Sequence, residues 1–392
     1  MAIGIVLLCL AYVLSQFFRS FLAVMTGVLA QDIGVTADDL ALASGLWFLS
    51  FSLMQIPVGG ALDKIGPRMT AAILFLIGGA GGAIVFALAT APWHISLAML
   101  LIGIGCSPVL MASYYIFART YSPKVFATLA SVMIGVGSIG NLAGSQPLSM
   151  LIDVVGWRVT MGGLAIATAF ISAGILASVK NPPMVHAEQK GGFLDLLKIP
   201  ALWFVIPLMI VQYAPAAGMR GLWIGPYLRD VFGAAQSQIG TASLIMSIAM
   251  IAGTFAYGPL DRILGTRKWV IIAGNTGSFV GVTTLWVAGH TEYWIAVAAF
   301  AAVGFFGMSY PMMVAHGRSF APAHLTGRGV TLMNLFAIGG AGIYQVITGK
   351  LQKSAMAQGA TGGDLYETMF LFYMITLALA IFIYMRTQDR LD

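Results

Sequence analysis

Twelve stretches of this 392-residue chain stay apolar for about twenty residues or more, each ended by charges or turn-forming residues. A helix needs roughly 20 residues to cross a hydrocarbon core about 30 Å thick, so each run is long enough to span a membrane. The approximate spans are 3–29, 40–62, 69–91, 95–119, 125–150, 158–179, 201–226, 237–260, 268–289, 293–315, 327–350 and 366–386. Composition agrees: 59% of residues are hydrophobic and 9% charged, and the mean hydropathy is +0.90, beyond the range of soluble domains. The expected fold is an all-α membrane protein of twelve transmembrane helices in the lipid bilayer. The first span begins almost at Met1, lacks a basic leader and exceeds the length of a cleaved apolar region, so it is expected to be retained.

The basic residues set an orientation. One set of loops and helix ends carries fourteen Lys and Arg, the opposite set only Arg158, Arg229, Lys350 and Lys353, and two arginines stay inside spans. The positive-inside rule then puts both termini in the cytoplasm. The net charge of +6 is this bias, and no stretch is left for a soluble nucleic-acid-binding domain. Cys9 and Cys106 both fall inside spans, with no metal-ligand spacing, and read as small apolar residues. No Walker loop, zinc motif, nucleophile elbow or dinucleotide fingerprint occurs, so no enzymatic activity, metal or cofactor is expected.

Residues 180–200 form the longest polar segment and divide the spans six and six: 1–179, a linker, and 201–392. Within the linker, "GFLDLLKIP" at 192–200 reads as a short interfacial helix. The halves repeat. "IGPR" at 65–68 is answered by "LGTR" at 264–267, and "RTYSP" at 119–123 by "RSFAP" at 318–322, both at an offset of 199 residues. Two separate motifs sharing one offset argue for duplication.

Two six-helix halves, a long central loop, and G-x-x-x-D-[RK]-x-G-x-R between the second and third spans resemble the major facilitator superfamily of secondary transporters. Here the motif is Gly59, Asp63, Lys64, Gly66 and Arg68, with a looser second copy at Asp261, Arg262, Gly265 and Arg267. The resemblance implies two pseudo-symmetric six-helix bundles, a monomer in an inner membrane, and a latch in which this loop ties the cytoplasmic ends together. Glycines at 59, 60 and 66 suit a tight turn and close helix approach, and Asp63 suits accepting from a helix N-terminus or an arginine. The alternative is that Lys64 and Arg68 only obey the positive-inside rule. Arg119 and Arg318, in the second repeated motif, carry the same two readings, as gate residues or as topology.

All fourteen acids lie in loops or at helix ends. Inside the spans remain Arg19 and Arg220, on the first and seventh, which are equivalent positions of the two halves. In the superfamily that this sequence resembles, the first, fourth, seventh and tenth helices line a central cavity. Two cations there, with no buried acid, suit a small organic anion, because a guanidinium fork matches carboxylate or phosphate. The pair is similar to that of the organic-phosphate antiporters of the superfamily, although the fifth span carries no histidine as theirs does. The competing reading is that either arginine caps carbonyls at a helix break or stacks on Phe17, Phe18 or Trp223. Gln16, Gln212, Tyr114, Tyr115 and Tyr310 are further candidate ligands, each equally suited to interhelical hydrogen bonds. His316 is a candidate proton carrier. "GVGSIGNLAGSQP" in the fifth span reads as close helix packing.

Three functions follow as expectations: a secondary transporter of an organic anion, by exchange or proton coupling; an exporter of amphiphilic compounds; or a receptor or assembly factor on a transporter fold. The absence of a buried acid disfavours a cationic substrate.

Overall fold

The computed structural model describes residues 2–121, 123–182, 193–322 and 326–391. Within these, the side chains of 2, 63, 123–128, 130–131, 193–194, 326–328 and 330–331 lie outside the description, Asp63 among them. The described residues are helical, without strands. The chain divides into two compact units, Met1–Ala187 and Glu188–Asp392.

Among the described residues, eleven helical segments are long and apolar enough to cross a membrane. The fifth expected span, 125–150, is divided by a turn at residues 144 and 145. It consists of Pro123–Ala143 and the start of Gln146–Ser178, which runs through the left-handed Gly156 into the sixth span. The exposed side chains are those a lipid-facing surface requires: Val154 is 81% exposed, Phe170 75% and Phe255 72%. Most of the interior polar groups return to backbone carbonyls one turn back, as Ser113, Thr168, Ser172 and Asn275 do. The expected interfacial helix is a single stretch, Phe193–Leu197, followed by Lys198 paired with Asp195.

In the first unit, Ala2–Ser20 packs on Pro123–Ala143 through the small residues noted in the sequence. A Cβ on Gly140 would strike the carbonyl of Val13, one on Gly137 the ring of Tyr12, and one on Gly144 the hydroxyl of Ser20. Aromatic rings fill the far end, where Phe17, Phe18, Phe21, Phe86 and Trp157 touch in series. In the second unit Tyr227 is the hub, with Phe300, Tyr366 and Phe370 edge-on around it.

The duplication is visible in the backbone. Gly34 and Gly233 end the first helix of each half in the left-handed conformation, and Gly66 and Gly265 have positive φ in the motif loops; both pairs are 199 residues apart. Beside the first pair, each half ties its first helix to its sixth. Asp32 pairs with Arg158 and accepts from Trp157 Nε1 at 3.0 Å. The bonds from Arg158 and then Trp157 hold the Asp32 carboxyl below the usual carboxylate range. In the second half Asp230 accepts from Tyr366 OH at 2.6 Å.

Gly140→Ala tests the packing in the first unit. It should lower stability by about 1–3 kcal/mol through overpacking, whereas Gly135→Ala, with nothing within 4 Å of the added carbon, should be neutral. Thermal unfolding of the detergent-purified variants checks both.

Candidate functional site

The helix that carries each interior arginine is interrupted next to it. In the first unit Ala2–Ser20 ends one residue after Arg19, and the chain resumes as Leu22–Ile33 past a turn at Phe21. Arg19 lies over aromatic rings, but not those expected: its guanidinium is 5.2 Å from the centre of Trp47 and 5.4 Å from that of Phe51, both on Ala37–Leu53. Stacking engages the face of a guanidinium while hydrogen bonds run in its plane, so stacking and anion binding are compatible. Gln16, one turn earlier, donates to Tyr12 OH at 2.9 Å.

In the second unit the seventh span is cut into Leu202–Val211, Ala214–Gly218, a π-helical turn Met219–Trp223, and Ile224–Phe232. Arg220 stands inside the π turn and is 3% exposed. Such turns push carbonyls out of the regular ladder and recur at functional sites. Trp223 in the same turn donates through Nε1 to Thr348 Oγ1 at 3.0 Å. Gln212 is 1% exposed, and its amide nitrogen meets only the sulfur of Met209, at 3.2 Å. Tyr310 OH donates to Asn334 Oδ1, and its ring tilts against Tyr213. Tyr114 is half-buried on Pro92–Thr120, and neighbouring Tyr115 is covered by the Arg119 guanidinium, 4.4 Å from the ring centre.

The motif loops are held from inside their own halves. Gly66 adopts φ 96°, and a Cβ there would lie 2.6 Å from the side chain of Asn181. Asn181, just past the sixth helix, accepts from the backbone N–H of Arg68 at 3.0 Å and so caps the helix that starts at Pro67. Gly59 and Gly60 lie within Gln55–Lys64 with nothing within 4 Å of a built Cβ, so the expected close approach is made at Gly66 and not at these two. Lys64 is exposed.

The second copy is tied by side chains. Arg267 donates through Nε and Nη2 to one oxygen of Asp261, at 3.0 and 2.9 Å. The C-terminal segment then folds back over the loop. Asp389 accepts from Thr266 Oγ1 at 2.5 Å and from the backbone N–H of Arg267 and Lys268 at 3.1 and 2.9 Å. Lys268 Nζ donates to the Met385 carbonyl at 2.7 Å. Arg262 and Arg318 are exposed.

His316 is fully buried beneath this segment. Its Nε2 faces the Gln388 carbonyl at 3.0 Å and its Nδ1 faces Tyr384 OH at 2.6 Å. A carbonyl only accepts, so Nε2 carries the hydrogen and Nδ1 accepts from the tyrosine. Both ring nitrogens are thereby engaged within one half. Sequence reasoning missed the Asn181 and Asp389 caps, although both follow directly on the sixth helix of their half.

The family model of the Major Facilitator Superfamily matches residues 8–222 and again 216–391. The chain belongs to the major facilitator superfamily. It is a transporter, not an enzyme. Among relatives of this superfamily it is similar to a protein named as the nitrate transporter NarT of Staphylococcus haemolyticus, 22% identical over 284 residues, 69% of each chain. A protein named as a tartrate transporter of Agrobacterium vitis is 20% identical over 308 residues, 70% of this chain and 66% of that one. A protein named as a sugar efflux transporter of Haemophilus influenzae is 24% identical over 253 residues, 63% of this chain and 61% of that one. The fold is that of the D-xylose-proton symporter, with a TM-score of 0.77 at 14% identity, covering 98% of this chain and 97% of that one.

The C-terminal cap generates a prediction. Burial alone would raise the Asp389 carboxyl, but the bonds from Thr266, Lys268 and Arg267 outweigh it and hold the group below its usual value. Its contribution is therefore complete above the unfolded pKa, about 3.9, and lost as pH falls through the lower folded value. Asp389→Ala should cost about 1 kcal/mol, the scale of a lost helix cap. In thermal unfolding the gap to wild type should stay constant from about pH 8 to 5 and close below about pH 3.9.

Proposed function

We propose that this transporter carries a small organic anion by alternating access, and that Arg19 and Arg220 are the cations that receive it. The observation that carries the reading is that each half holds one arginine inside an apolar span, at the point where its helix is interrupted. Discontinuous membrane helices are where transporters of this kind bind substrates, because loosened backbone and side chains can turn to a solute there. Placing a guanidinium in hydrocarbon costs at least a few kcal/mol, and the sequence puts its acids between the expected spans or at their ends. The relatives named for nitrate and tartrate support an anion; the one named for sugar efflux supports a neutral solute instead. In this reading Gln16, Gln212, Tyr114, Tyr115 and Tyr310 supply secondary contacts. The motif residues Gly66, Arg68, Asp261 and Arg267, with Arg119 and Arg318, govern gating at the basic, cytoplasmic ends. His316 then serves as a structural tie for the C-terminal segment and not as a proton carrier.

The test is a thermal-shift screen of the purified protein against nitrate, tartrate, succinate, glycerol 3-phosphate and alkyl sulfonates, with neutral sugars and cationic amphiphiles as controls. One anion class should stabilise the wild type by about 2.7 kcal/mol at a hundredfold excess over Kd. The shift should vanish in Arg19→Gln and in Arg220→Gln. Stabilisation by sugars or amphiphiles alone, unchanged in both variants, would sink the anion reading.

A further inference from the structure

Gln345 lies on Thr326–Ala357 and is completely buried, yet neither its amide oxygen nor its amide nitrogen has a hydrogen-bond partner. Swapping the two ends cannot repair this, since both are orphaned. An amide left so in an apolar interior is costly, and the carriers of such a cost are expected to meet water, an ion or a ligand.

Its surroundings identify which. Thr348 follows Gln345 by three residues and Tyr344 by four, so it lies beside both one turn along the helix. Both neighbours of Gln345 lead to the interrupted part of the seventh span. Thr348 accepts from Trp223 Nε1 at 3.0 Å. Tyr344 stacks on Tyr373, with ring centres 5.7 Å apart, and the Tyr373 hydroxyl lies 2.6 Å from where a Cβ on Gly218 would be. Gly218 and Trp223 bracket the π turn that holds Arg220. The orphaned amide therefore belongs to the same interior region of the second half as that arginine.

We propose that Gln345 is a specificity-determining residue: its amide reads a hydroxyl of the substrate whose anionic group is taken by Arg220. This rests on the anion reading of Arg220. A carboxamide presents one acceptor and one donor side by side, the complement of a hydroxyl, which both donates and accepts. The substrate class is then a hydroxylated organic anion. A site with a buried polar group rejects an analogue lacking its partner far more strongly than an apolar pocket rejects a missing methylene.

The experiment compares tartrate with succinate, the same dicarboxylate without hydroxyls, and adds xylitol as an uncharged polyol. Dissociation constants are measured on the full-length purified protein as wild type, Gln345→Met, Arg220→Gln and, as a buried-amide control, Gln352→Met. Wild type should prefer tartrate to succinate by tenfold or more. Gln345→Met should abolish that preference and, by removing an orphaned amide, raise the ligand-free melting temperature by about 2–4 °C. Gln352→Met should keep the preference. Arg220→Gln should weaken both dicarboxylates alike and keep their ratio. If only xylitol binds, and Gln345→Met loses it, the Gln345 assignment stands and the anion reading falls. An unchanged tartrate preference in Gln345→Met overturns the proposal and leaves the amide to a buried water. So does failure of Gln345→Met to fold, which would mean the amide is paired. Equal responses of wild type and Gln345→Met to every probe, none at all included, also overturn it.

Discussion

Hydrocarbon offers no hydrogen bonds, and that deprivation sorts every polar group in this chain. Carboxylates are driven to the helix ends, where they become ties: Asp32 to Trp157 and Arg158, Asp230 to Tyr366, Asp261 to Arg267, and Asp389 to the start of Lys268–Val287. Many interior hydroxyls bond back to their own helix, as those of Ser113 and Ser172 do. Arg19 and Arg220 are cations placed inside apolar spans, and the Gln345 amide is buried without a partner; the proposed recognition of a hydroxylated anion rests on these groups.

The two halves use the same ties with different residues. In each, an acid ahead of the left-handed glycine joins the first helix to the sixth, and a residue just past the sixth helix caps the motif loop. The repeated motifs keep an offset of 199, yet Trp157 and Tyr366 are 209 residues apart and Asn181 and Asp389 are 208. The extra length therefore lies after Arg318 and before Tyr366, in the stretch that contains the long helix Thr326–Ala357.

Most span positions, though not the fifth, together with the duplication and the motif loop, were legible in the sequence because they depend on local quantities: hydropathy over twenty residues, charge at the ends, and glycine where φ is positive. Close packing by Gly137, Gly140 and Gly144 was legible for the same reason, since small residues at helical spacing leave room for a neighbour. What escaped depends on partners distant in the chain. Nothing around Arg19 names Trp47 and Phe51 as its stacking partners, and nothing around His316 names Gln388. At Gly59 and Gly60 nothing lies within 4 Å of an added Cβ, so the motif's close contact in this half is made at Gly66 alone among the three. Nothing in the residues around Gln345 distinguishes it from other interior glutamines; its missing partners are seen only in the fold.

The interruptions beside the arginines can be understood as the means by which an interior cation is tolerated between turnovers. A guanidinium has five donors, and a regular helix gives its carbonyls to its own N–H groups. A break or a π turn releases some of those carbonyls. On the proposed anion reading, these carbonyls give a guanidinium neutral acceptors to turn to between turnovers. On that reading, an incoming carboxylate or phosphate competes with neutral acceptors. It does so through a charge-assisted, forked pair that is roughly twice as strong. A fixed internal carboxylate would hold each arginine more firmly but would also compete with the substrate for it. On the proposed reading, acids kept at the helix ends and helices interrupted beside the arginines leave the guanidinium charge to the substrate.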